Sequence, residues 1–120
     1  MFRKKIHTQN TIFDIYIKEN IYLEIPQFVD LVFSKIEASI VNQEPIFIEN
    51  EELLKSLNID VLDENTFNDL YHFGLAIASA YIFKNNLRTN IFEKFKLDND
   101  LNCTFNFNDT FFELYGNNSK

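Results

Sequence analysis

The chain has 120 residues, one domain's worth, and 46% of them are hydrophobic. That is enough apolar surface to build a core, which excludes a disordered chain, a repeat array and a fibre. A formal charge of −7 with only two arginines, Arg3 and Arg88, argues against nucleic acid as a partner, because its recognition draws on concentrated Lys and Arg.

Met1 to Lys5 has the basic character of a leader peptide, but His7, Thr8, Gln9, Asn10 and Asp14 leave no apolar stretch for export. Residues 1–10 therefore read as a mobile terminus. Residues 12–25 alternate: Phe13, Ile15 and Ile17 share one face, Asp14, Tyr16 and Lys18 the other, and Ile21, Leu23 and Ile25 resume the pattern after Glu19-Asn20. This period of two around a polar pair predicts a β-hairpin. Pro26 suits a helix start, and Phe28, Val29, Val32, Phe33, Ile36 and Ile40 recur at helical spacing, predicting an amphipathic helix over about 27–42. Residues 46–48 (Ile, Phe, Ile) read as a short strand or a buried loop anchor, and Glu51 to Leu57 as a short helix with Asn50 as its cap.

With Asn65 as cap, Phe67, Leu70, Tyr71, Gly74, Ile77, Ala78, Tyr81 and Ile82 predict a long helix ending at Asn85-Asn86. Its latter half is apolar nearly all round, so it is expected inside the domain, with His72 partly buried on it. Ile91 to Leu97 fits a strand or a helix. Leu101, Cys103, Phe105 and Phe107 alternate with polar residues as a strand, Asn108-Asp109 reads as a hairpin turn, and Thr110 to Tyr115 as its partner strand. Residues 116–120 form a polar tail. The expected fold is a single α+β domain over 1–120: an N-terminal hairpin, two long helices with a short one between, and a C-terminal antiparallel hairpin or three-stranded meander.

The chemistry of catalysis is sparse. His7 and His72 are the only imidazoles, and Cys103 alternates with Phe105 on the expected core face, so it reads as a small buried hydrophobe. No Cys/His ligand pairs occur at short spacing, and two glycines, Gly74 and Gly116, cannot build a phosphate-cradling loop. The expectation is a binder with no catalytic residues, no metal and no cofactor. A single cysteine points to a reducing, cytoplasmic compartment, and the longest apolar run, Phe73 to Phe83, is far short of the roughly 20 residues a bilayer span needs, so no membrane role is expected.

The location of the charge is more informative. Residues 1–43 and 70–120 each balance, whereas 44–69 hold Glu44, Glu49, Glu51, Glu52, Asp60, Asp63, Glu64 and Asp69 against Lys55 alone. Several of these acids suit helix N-termini, where the dipole favours them. As a group they suggest a docking face for a cationic protein, since clustered like charge speeds encounter with an opposite partner. The candidate partner-binding residues are Glu49, Glu51, Glu52, Asp60, Asp63, Glu64 and Asp69, with Tyr71 and Tyr81 as further anchor candidates. Small size, confined acidity, absent catalytic groups and a preference for residues with A/T-rich codons, as on bacterial mobile elements, together give a profile that looks like contact-dependent inhibition immunity proteins in general character. That implies an inhibitor occluding the substrate face of a basic, nuclease-like toxin domain. The alternative is a dimeric, secretion-chaperone-like accessory module, which would need an exposed apolar groove.

Overall fold

The computed structural model describes residues 2–7, 12–59, 63–84 and 86–113. It is α+β, with two antiparallel sheets and helices that pack against their strands. The N-terminal hairpin is present but shifted by one strand. β1 (Phe2–His7) pairs with β2 (Ile12–Ile17) in the register Arg3↔Tyr16, Lys5↔Asp14 and Ile6↔Phe13. Residues 2–7, expected within a mobile terminus, are thus an edge strand, and their lysines suit an edge that must not pair further.

Residues 21–25, expected as the hairpin's second strand, instead lie in and just after helix α1 (Glu19–Glu24). The spacing shows why. Ile21 and Ile25, four apart, are buried, while Leu23 between them is 71% exposed. A strand would have put all three on one face; a helix separates them.

α2 (Pro26–Asn42) follows with Pro26 in its first turn, close to the expected 27–42. Phe28, Val29, Val32, Phe33, Ile36 and Ile40 are essentially inaccessible, which makes this the inner helix of the fold. It ends at Gln43 in the left-handed region (φ 55°), whose N–H donates to the Ile40 carbonyl while Glu44 N–H donates to Ser39. Pro45 then leads into β3 (Ile46–Ile48) and α3 (Asn50–Ser56).

The second long helix departs from expectation in two ways. α4 (Glu64–Ala78) stops short of residue 83, and Tyr81–Lys84 forms β4. Ile82 faces the core while Tyr81 and Phe83 share the other face, a period of two that the apolar run concealed. The strand serves β2, whose second edge it fills through Tyr16↔Tyr81. Nor is α4 internal: only Leu70, Gly74 and Ile77 are buried, and Tyr71, His72 and Leu75 are exposed. His72 is therefore a surface residue, contrary to the partly buried position expected.

β5 (Leu87–Asn90) completes a sheet of order β1-β2-β4-β5. The chain changes sheets at the buried Ile91, whose N–H donates to Ala80 and whose carbonyl accepts from Asn108. β6 (Phe92–Leu97) and β7 (Cys103–Phe107) form the C-terminal hairpin, and β3 is the third strand, in the order β3-β7-β6. The expected partner strand at 110–115 is absent where the structure describes those residues. Asn108 caps a short helix, α5 (Asp109–Phe111), its Oδ1 accepting from Thr110 N–H at 2.9 Å, in place of the expected hairpin turn. Phe111 then packs edge-on against Phe13 and stacks on Phe107, joining the two sheets through one core.

Candidate functional site

The acidic end is assembled from three loops that the fold brings against one another. The turn between β6 and β7 is wound around Asp98. Its Oδ1 accepts from the N–H groups of Asp100 and Asn102, both at 2.9 Å, and Oδ2 accepts from Asn102 Nδ2. Leu101 adopts φ 67° to close it. The turn is then fastened to the start of α3: Asn50 N–H donates to Asn102 Oδ1 at 2.9 Å, and Asn50 Nδ2 to the Asp100 carbonyl at 2.8 Å. Asn50, expected to cap α3, is thus its first residue and a clasp to the turn. The N-cap is Glu49, with no side-chain capping bond.

The N-terminus of α4 meets the same place. Asp63, rather than Asn65, is its cap and forms a capping box with Thr66. Asp63, Asn50, Asp100, Leu54 and Phe67 line a shallow cavity of about 380 Å3. Acidic residues from two distant segments, Asp63 and Asp100, therefore border one recess, and Glu49 and Glu51 flank Asn50 in sequence.

The remaining candidates divide. Glu49, Glu51, Glu52, Asp63, Glu64 and Asp69 are all exposed, and Asp60 lies outside the described residues. Glu52 is engaged with Lys35 of α2 at 3.0 Å, so part of its charge is neutralised internally. Glu64 and Asp69 lie on different flanks of α4, since five residues correspond to about 140° around a helix axis. Asp69 therefore stands apart from the recess. Tyr81 is covered by Arg88, and Tyr71 stacks on Phe67 beside the recess.

Asp98 and Asp100 belong to this acidic end and were not among the sequence candidates. Their signal was there: reading 91–97 as a strand places Asp98-Asn99-Asp100 at a hairpin tip. The N–H of Asn102, opposed by partial desolvation and helped by the Asn102 side chain and the Asp100 N–H, holds the Asp98 carboxyl below its ordinary range. Burial, reinforced by the Asp98 charge, pushes the Cys103 thiol up to about 12, so it stays protonated and unreactive at neutral pH. Among the described residues no three His, Cys, Asp or Glu converge as a metal site, and no helix is long and apolar enough to cross a membrane. No family model, curated protein or solved structure matches this chain.

Proposed function

We propose that this protein is a binder that neutralises a cationic protein of the nuclease-like toxin kind, as an immunity or antitoxin-type inhibitor. Its acidic end covers the surface on which the toxin would hold its substrate's phosphates. The observation that carries the reading is the shared recess of Asp63 and Asp100 around Asn50, with Glu49, Glu51 and Glu64 on adjoining exposed positions. Clustered carboxylates on a hydrogen-bonded scaffold are preorganised for cationic side chains, so little ordering cost opposes association.

The chaperone alternative needs a continuous apolar groove. Among the described residues the large exposed apolar side chains are instead divided between Ile12, Phe83 and Leu87 on the four-stranded sheet, Phe47 on the other sheet, and Leu23, Val41 and Tyr71 with Leu75 on three helices. That dispersion favours the neutraliser. The test is to mix the full chain with the product of the neighbouring gene, which the reading expects to be a cationic nuclease domain, and assay nuclease activity. Stoichiometric inhibition through a stable complex is expected; full activity with no complex would overturn the reading.

A further inference from the structure

The four-stranded sheet buries one face; on its other, more open face Arg3, Lys5, Phe83 and Arg88 are exposed, Tyr16 is half-buried and Tyr81 is buried. Cross-strand partners share a face, so the pairs Arg3↔Tyr16, Lys5↔Asp14, Tyr16↔Tyr81 and Phe83↔Arg88 set these side chains on that open surface. Both arginines of the chain, far apart in sequence, stand on this one face. The layout is ordered by strand. Tyr16 and the pair Tyr81 and Phe83 occupy the two central strands, with ring centroids 5.4–5.8 Å apart. Arg3 and Lys5 stand on one edge strand and Arg88 on the other, about 14 Å away across three inter-strand gaps.

Asp14 is the only acid at the strand positions of this face, and it lies within 4.0 Å of Arg3 and 3.2 Å of Lys5. Arg88 sits over Tyr81, 3.8 Å from its ring centroid, and no carboxylate among the described residues pairs with it. Phe83 is 49% exposed. Beside Arg88, a polar cleft of about 440 Å3 is lined by Asn90, Asn108 and Thr110 among others.

We propose that this open sheet face binds single-stranded nucleic acid, with bases stacked on Tyr16 and Phe83 and phosphates held by Arg3, Lys5 and Arg88. Unpaired bases offer flat faces to aromatic and guanidinium planes, and a four-stranded sheet with central aromatics stacks about two or three of them. The cleft adds amide and hydroxyl groups for base or sugar edges. An acidic peptide would use the cations but leave the rings idle, and a second copy docked through the same face would set cation against cation. The surplus acids of residues 44–69 lie on α3, α4 and the segments around them, none of which is a strand of this sheet.

The test is fluorescence anisotropy of a labelled oligouridylate and an oligothymidylate of about ten residues against the full chain at about 50 mM salt. Saturable binding is expected, stronger than to a duplex of the same length. Phe83→Ala should weaken it about fivefold or more without changing the salt slope, with Phe83→Tyr restoring it. Arg88→Ala should weaken binding and reduce the slope by about 0.7. All three substitutions lie on the open face, and thermal melts confirm that each variant is folded. Absent binding, equal binding of the duplex or of polyglutamate, or indifference to both Phe83→Ala and Arg88→Ala would each overturn the proposal.

Discussion

Gly74→Ala probes the packing that orients α4, and so the acidic recess at its start. Gly74 is buried in the middle of α4 under the tip of the Phe95 ring, and an alanine methyl there would overlap all three terminal ring carbons. Two effects oppose each other. Alanine is favoured over glycine inside a helix by about 1 kcal/mol. Overpacking a filled core costs about 1–3 kcal/mol. Phe95 cannot simply swing aside, because its ring lies 4.8 Å from Phe105 and 6.1 Å from Tyr71, centroid to centroid. The steric term should therefore win by about 1 kcal/mol or slightly more, a fall in Tm of roughly 3–8 °C for a domain of this size. Calorimetry or urea melts of the wild type, Gly74→Ala, Phe95→Leu and the double variant isolate the cause. With the ring removed, the alanine should become neutral or stabilising, which gives a coupling between the sites. A higher Tm for Gly74→Ala alone, or an equal loss in the Phe95→Leu background, would refute the reasoning.

Other consequences follow from the same contacts. Asp63→Ala removes the capping box of α4 and should cost about 1 kcal/mol in urea melts, whereas Asp63→Asn, which can still accept from Thr66 N–H, should cost far less. Asp98 has a lowered folded-state pKa, so its stabilisation is complete above its unfolded value near 4 and is lost as pH falls through the lower folded value. Asp98→Asn should flatten the acid limb of the stability profile, and an unchanged limb would contradict that. Cys103, with its thiol pushed up to about 12, should resist iodoacetamide at pH 8 in the native protein and react once urea unfolds it, as mass spectrometry can follow. Rapid native alkylation would place the thiol at the surface.

The sequence made the α+β class and α2 legible because in both cases one period dominates. The Phe28-to-Ile40 stripe admits only a helix, and the alternation Cys103–Phe107 only a strand. Elsewhere two periods coincide. Phe92 and Phe95 sit three apart yet are both buried, because the register shifts between Phe92 and Lys94; the bulge lets a strand imitate helical spacing. Ile82 likewise fits the α4 stripe, and what makes it a strand residue is the open edge of β2, a partner more than sixty positions away. Ile21 and Ile25 satisfy both patterns, and only the exposure of Leu23 distinguishes them.

The candidate site was readable in part for the same reason. Charge counting along the chain found Asp63, which lines the recess, and Glu49, Glu51 and Glu64, the exposed sequence neighbours of the lining residues Asn50 and Asp63, but it also gathered Asp69, on another flank of α4, and Glu52, which Lys35 engages. Asp98 and Asp100 come from a locally balanced stretch and reach the site only through the Asn50 hydrogen bonds. The cations show what a count leaves out: the chain has two arginines, and pairing across β1, β2, β4 and β5 puts both on one face.

The most direct measurement of the central claim is the association rate of the full chain with the cationic nuclease domain proposed as its partner, followed by stopped flow across a salt series. A variant with Glu49, Glu51, Glu64 and Asp100 all changed to lysine spares the Asp63 cap and the Asp98 turn. The account predicts association slower by about tenfold or more at low salt, with the difference shrinking as salt rises. Equal rates for the two proteins at every salt concentration would contradict it.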